Sequence, residues 1–403
     1  VSTLSFASGA TASLSTTVTR ATSGSSTVSM SNSLGLTNTG SPRTFTSAGL
    51  SVGSQVATLT VYNESGSGTR PFVATVFPLR GVVPSGSTLT DAAGVARASI
   101  LSTHTDGSAA VVVLAGTASA AGTVAVHAAT GTDSTALGAA AISAQVTSVS
   151  VAFGSPYGTA SISDFSTPER IWWQNSRYVC ARYRVAAPTP GSTALEAVID
   201  IHAWADRALV EVAVENAKVN TALSTVLAAA AAGYTGATVA INGTTVATVS
   251  SSGVPVEGAH SWSRAWYASG WVGGNPGLRV HQAVAELQLH PLLFKMDQAN
   301  TADLSAYATD AYAAWSSGRI EAANMGGVGD APGIGPLSKW DAQWLQSGDV
   351  GAANAVEQNA LMALHFNINS RSASTGAVPT FTEIDLKSFN GNGTWPEQTN
   401  AST

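Results

Sequence analysis

Cysteine is almost absent from this sequence. Among 403 residues only Cys180 occurs, and one thiol forms no internal disulfide, so a disulfide scaffold is excluded. Charge is scarce too. Asp, Glu, Lys and Arg make up 10% of the chain, against roughly 25% in an average soluble protein, and lysine is found only at Lys218, Lys295, Lys339 and Lys387. The formal net charge is −6 with no block of like charges, so the basic stripe of a nucleic-acid binder is missing. No run of some 18 apolar residues occurs; the nearest, 221–241, is rich in alanine and broken by Ser224, Gly233, Thr235 and Gly236. The chain is therefore expected neither to bind nucleic acid nor to insert into a membrane. The seven histidines (His104, His127, His202, His260, His281, His290 and His365) are dispersed, without His-x-x-x-His spacing or an acidic EF-hand loop, so no metal and no cofactor are predicted. Residue 1 is Val, which reads as a processed or trimmed product.

What the sequence does have is apolar material in short runs. Hydrophobic residues are 44% of the chain, ten of them Trp, enough to build cores in two or three domains at about 150 residues each. So few surface charges protect poorly against self-association, which favours a component of a large assembly over a free cytosolic enzyme.

Residues 1–50 are mostly Ser, Thr, Gly, Ala and Asn. They read either as a flexible linker or as an extended arm that orders by adding strands to a neighbouring subunit. From Gln55 the period becomes two. Val56–Tyr62, Pro71–Pro78, Ala96–Thr103, Ala109–Ala115 and Gly122–Ala128 alternate between turn clusters, so 51–145 is expected to be a small β-barrel domain. Residues 146–295 form a second β-rich block, a sandwich, with strands expected at Val146–Ala152, Tyr178–Val185, Ala194–Ala203, Ala208–Val214 and Val280–Leu289. Tyr178, Cys180, Arg182 and Arg184 fall on one face of their strand, Val179, Ala181, Tyr183 and Val185 on the other. Asn242-Gly243 between two alternating runs is the signature of a type I′ hairpin. After Pro291 the spacing becomes helical. Leu304, Tyr307, Ala308, Ala311 and Trp315 form one stripe, and Leu337, Trp340, Trp344 and Leu345 repeat it. Ser347-Gly348-Asp349 stops one helix and caps the next, where Val356, Ala360, Leu361 and Leu364 continue the apolar face. The fold class is thus mainly β and multidomain, with a barrel, a sandwich and an α-helical hairpin over 296–370, followed by a polar tail over 371–403.

The strings Val61–Gly66, Pro78–Leu89 and Thr105–Ser108 resemble the N-terminal barrel of exo-rhamnogalacturonan lyase-like proteins. The next block resembles their central β-sandwich, and Gly333–Trp340, Trp344–Asp349 and Leu364–Phe366 resemble the opening hairpin of their α/α toroid. The resemblance spans roughly 55–380. Proteins of this three-part build are common among the structural gene products of tailed bacteriophages. It implies a component of the virion (tail, baseplate or fibre), partnered by other virion proteins and by copies of itself, with host-surface polysaccharide as a further contact. Only the start of a toroid is present, so the chain is read as a fragment or as a member whose toroid has been lost. The alternatives are a lyase-like depolymerase and a cell-surface or secreted adhesin.

Several residues are candidates for chemistry. The resemblance places His365 and Arg371 where a lyase carries a His and an Arg, as base and as carboxylate-neutralising cation; the other reading is a helix C-terminal His favoured by the macrodipole. Trp262, Trp266, Tyr267 and Trp271 form an aromatic cluster whose flat faces suit sugar rings, as does Trp172-Trp173; packing in a core or an interface is the competing reading. His104, Asp106 and Ser108 sit close in sequence, but Asp106-Gly107 reads as a turn rather than part of a triad. His202 and Trp204 share a strand face that reads as half-buried.

Overall fold

Short runs of Val, Ile, Thr and Ala at alternating positions, broken by Gly, Asn and Ser, give a chain of strands with few helices. The computed structural model describes residues 24–28, 43–47, 55–63, 69–83, 87–91, 97–118, 122–130, 136–154, 157–188, 195–216, 218–219, 237–248, 265–287, 339–347, 349–362 and 371–372. In chain order the elements are β1 (Gly24–Val28), β2 (Arg43–Ser47), β3 (Gln55–Asn63), β4 (Arg70–Val76), β5 (Ser87–Asp91), β6 (Arg97–Thr103), β7 (Ala109–Ala118), β8 (Gly122–Thr130), α1 (Ala139–Gln145), β9 (Val149–Ala152) and β10 (Thr159–Ile162). There follow β11 (Arg170–Gln174), β12 (Val179–Ala186), β13 (Leu195–Ala203), β14 (Ala208–Asn216), β15 (Lys218–Val219), β16 (Thr238–Ile241), β17 (Thr244–Thr248), β18 (Ala265–Val272) and β19 (Leu278–Gln282). The last elements are α2 (Val284–Leu287), α3 (Lys339–Ser347), α4 (Val350–Met362) and β20 (Arg371–Ser372). The protein is mainly β, as the sequence predicts. No helix among the described residues is long and apolar enough to cross a membrane.

The first unit is built from two sheets, β19-β3-β8-β5 and β4-β7-β6. β19 lies beside β4 and β5 beside β6, so the sheets meet at both edges around one core of Leu59, Val61, Phe72, Val76, Leu89, Val112, Leu114 and Val126. One strand comes from far along the chain. The sequence reads Val280–Leu289 as a strand of the second block, but the strand is Leu278–Gln282, it pairs antiparallel with β3, and the chain then turns into α2. Side chains hold this closure. Gln282 Oε1 accepts from the Phe77 amide at 2.8 Å and Glu286 Oε2 from the Thr58 amide at 2.9 Å.

The second unit is a sandwich of β11-β12-β13-β14-β18 against β10-β9-β16-β17, with every described pairing antiparallel. Its core takes alternate residues of each strand: Val179, Ala181 and Tyr183 from β12, Ile199 and Ile201 from β13, Val210, Val212 and Val214 from β14. Asn242 (φ 49°) and Gly243 (φ 78°) both occupy the left-handed region between Ile241 and its partner Thr244, which is the hairpin expected from Asn-Gly.

In α3 and α4 the Ser347–Asp349 link behaves as read. Ser347 Oγ bonds back to the Gln343 carbonyl at 2.6 Å, and Asp349 Oδ1 accepts from the Ala352 amide at 3.0 Å, an N-cap. The packed face is shifted from the expected one. Trp340 and Trp344 pack on Ala352 and Ala355, while Ala360 is exposed, because large indoles on one helix demand small partners on the other. The stripe of Leu304–Trp315 and the residues 373–403 lie outside the described residues. Arg371 opens β20, which pairs in parallel with β15.

Candidate functional site: the polar face of the five-stranded sheet

The residues of the five-stranded sheet that point away from the sandwich core carry an unusual share of the scarce charge. β12 presents Cys180, Arg182 and Arg184, β13 Glu196, Asp200 and His202, β14 Glu211 and Glu215, and β18 Tyr267, Ser269 and Trp271. Antiparallel register sets them in rows. Arg170 pairs with Arg182, Arg182 with Asp200, Asp200 with Glu211 and Glu211 with Ser269, one row crossing all five strands. A second row joins Cys180 to His202 and Leu209 to Trp271.

At one end the face is covered. Tyr178, Cys180 and Trp204, with Trp172, Trp173, Leu209 and Trp271, pack against Val73, Val113 and Ala115 of the barrel. Trp204 stacks on Trp271 at 5.7 Å and 26°, and meets Tyr178 at a tilt, 5.1 Å away and 51° between planes. A register shift between Ile171 and Trp173 brings Trp172 and Trp173 to the same cluster, as β-bulges re-aim side chains.

Beyond this contact the charges answer one another. Arg182 donates to both oxygens of Asp200, at 2.8 and 2.5 Å, the fork geometry in which Arg–carboxylate pairs are strongest. Trp172 Nε1 donates to the same Asp200 at 3.2 Å, and the guanidinium carbons of Arg170 and Arg182 lie 4.0 and 4.7 Å from the Trp172 ring centre, within cation–π range. Arg184 meets three carboxylates, Glu169, Glu196 and Glu215. Burial disfavours its charge, but these carboxylates outweigh that and hold its pKa above the ordinary arginine value.

His202 links the two ends. Its Nδ1 lies 2.5 Å from the Tyr178 hydroxyl and its Nε2 lies 2.7 Å from Glu211 Oε2; the Tyr267 hydroxyl donates to Glu211 Oε1 at 2.5 Å. Burial works against the imidazolium, yet Tyr178, Cys180 and Glu211 together raise its pKa well above the usual histidine value. Burial likewise opposes the Glu211 carboxylate, and His202 and Tyr267 overcome it to lower its pKa. Burial pushes the Tyr178 phenol up to about 12. Burial and then Glu211 raise that of Tyr267. A general base needs a free lone pair, and both ring nitrogens of His202 are engaged, one by the Tyr178 hydroxyl and one by Glu211.

Of the sequence candidates, Tyr267 lies on this polar face and Trp271 in the packed interface. Trp262 and His365 are outside the described residues; for Trp266 and Arg371 the backbone alone is described, in β18 and β20. Asp106 forms a turn. Its Oδ1 accepts from the Ser108 amide and hydroxyl at 3.0 and 2.6 Å, Gly107 has φ 81°, and Ser108 Oγ accepts from the Gly81 amide at 2.8 Å. These bonds with Ser108, aided by Arg80, hold the Asp106 carboxyl down at about 2. His202 and Trp204 lie at a face that is indeed partly covered. Asp200, Glu211 and Glu196 escaped notice in the sequence, although charges at alternate positions of an apolar strand were the available signal. Among the described residues no group of three or more His, Cys, Asp or Glu is placed to hold a metal ion. No family model, curated protein or solved structure matches the chain.

Proposed function

We propose that the chain is a structural component of a bacteriophage particle, in its tail, baseplate or a fibre, joined to copies of itself and to other virion proteins and touching host-surface glycans. The observation that carries this reading is the mutual pairing of charges on the polar sheet face. Arg182, Arg184 and His202 each have a carboxylate partner, and both nitrogens of His202 are committed. A lyase needs a free base and a cation left for the substrate's carboxylate; here both nitrogens of His202 are engaged, and of the arginines on this face only Arg170, at the sheet edge, stands outside an ion pair among the described residues. What the face does offer is a rigid array of donors, acceptors and rings, on a sandwich locked to its barrel by Tyr178, Trp204 and Trp271. The charge-poor composition and the order of the three units add support. Virion location and assembly partners rest on the resemblance and on composition.

The experiment is a sizing run on the purified chain with negative-stain imaging, paired with a depolymerisation assay on an acidic polysaccharide. Assembly into defined oligomers or particles without cleavage is the expected result. A free monomer that cleaves the polymer overturns the reading in favour of a depolymerase.

A further inference from the structure

We propose that the cross-strand row Arg170–Arg182–Asp200–Glu211–Ser269, flanked by Trp172 and Tyr267, is a binding site for an uncharged glycan chain; this rests on the reading of a glycan-touching structural protein and deepens it. Four features carry the inference. The row is long: neighbouring strands are about 4.8 Å apart, so five strands span about 19 Å, enough for several sugar units laid across the sheet. It is open: Arg182 and Asp200 keep 23% and 22% of their side-chain surface, His202 and Glu211 20% and 31%, and Arg170 and Ser269 at the two ends are exposed.

It is also held in place before any ligand arrives. Asp200 is fixed by Arg182 and by Trp172 Nε1, Glu211 by His202 and the Tyr267 hydroxyl, so their remaining lone pairs point from immobilised groups. Preorganised polar groups are what orient a polyhydroxylated ligand, and Trp172 serves here by holding Asp200 and lying under Arg170 and Arg182. Finally, the charges select the class. On and around this face Arg170, Arg182, Arg184 and His202 stand against Glu169, Glu196, Asp200, Glu211 and Glu215. Carboxylates are in slight excess and Arg182 and Arg184 are already in ion pairs, so an anionic polymer would meet net repulsion across the row, with only Arg170 at its edge outside an ion pair among the described residues. Hydroxyl groups, which both donate and accept, can bond to either member of each pair.

The test is affinity electrophoresis of the full chain through gels containing a neutral glucan, galactan or mannan, or polygalacturonate as the acidic probe. At least one neutral polymer should retard the protein, and 0.5 M NaCl should leave that retardation unchanged, since ionic screening weakens only charge-driven binding. Ser269→Trp, which blocks the row without touching its ion pairs, should weaken binding at least tenfold, as should Trp172→Ala; melting curves report whether each variant stays folded. Retardation by polygalacturonate alone, loss of binding in salt, or full binding by folded Ser269→Trp overturns the site. Failure of the parent reading looks different. A chain that assembles normally and ignores every neutral polymer removes this site only, whereas a chain that binds glycan but never joins a particle removes the structural role only.

Discussion

Asn242 has two separate tasks. Its backbone takes the left-handed conformation of the hairpin. Its side chain clamps the entry to the sandwich, with Oδ1 accepting from the Thr147 and Ser148 amides at 2.7 and 3.2 Å and Nδ2 donating to the Gln145 carbonyl at 2.9 Å. Gly243 has only the conformational task, since a Cβ there would meet nothing within 4 Å. Gly243→Val therefore tests φ alone. It should destabilise the sandwich by about 1–2 kcal/mol, and an unchanged melting temperature would contradict the hairpin. Arg184 tests the opposite kind of site. Glu196 is 1% exposed, and removing the guanidinium leaves its charge in the protein without its closest cation. Arg184→Met should cost about 3 kcal/mol in urea unfolding. If the stranded carboxylate is the cause, Arg184→Met/Glu196→Gln should recover much of that loss; a double variant as unstable as the single one would locate the cost in lost packing instead.

At the scale of elements, two histidines guard two junctions with opposite signs. His281, on β19, accepts from or donates to Tyr62 Oη at 3.2 Å, holds the Gln282 carbonyl through Nδ1 at 2.7 Å, and meets Trp344 of α3 edge-on at 4.9 Å. Burial lowers its pKa despite that carbonyl, so the stability it contributes is present above the ordinary value of 6.5 and is lost as pH falls through the folded value. His202 is raised, so its contribution is complete below 6.5 and is lost as pH rises through its folded value. Acid should thus loosen the helical hairpin from the barrel, and alkali the sandwich face. Trp fluorescence and melting curves across pH check this: His281→Phe should flatten the acid limb and His202→Gln the alkaline one. An acid limb unchanged in His281→Phe would clear that residue. The sequence made some of these elements readable and hid others for a physical reason. Period two and Asn-Gly are local signals, so β3, β12–β14 and β16–β17 are visible within a residue or three. The closure of the barrel by β19 is not, because its partner β3 lies over two hundred residues upstream and nothing local in Leu278–Gln282 names it. The polar face is half legible. Alternation puts Cys180, Arg182 and Arg184 on one side, but their partners depend on which strands lie beside β12, and the bulge that turns Trp172 and Trp173 together breaks the alternation altogether.

For the whole molecule, the question is what the N-terminal fifty residues do. β1 and β2 pair with each other, Gly24–Val28 against Arg43–Ser47, and among the described residues this ribbon stands as a sheet of two strands. A two-stranded ribbon is marginal alone in water, and Ser, Thr and Gly bury too little apolar area to support it. Its outer N–H and C=O groups must pair with water or with another strand. If 1–50 were a spacer, deleting them would leave assembly unchanged. If the ribbon adds to a sheet edge of a neighbouring copy or another particle protein, the neighbour supplies its third strand and the hydrogen bonds. The expected outcome is that 1–50 is cut by protease in the isolated chain and protected in the particle. Deleting it should abolish incorporation, while the melting curve of the barrel and sandwich stays the same, since their cores are built among the described residues from Ala57 onward. Normal incorporation of the truncated chain would reduce the ribbon to a spacer, and the case for an assembly protein would then rest on the folded units alone.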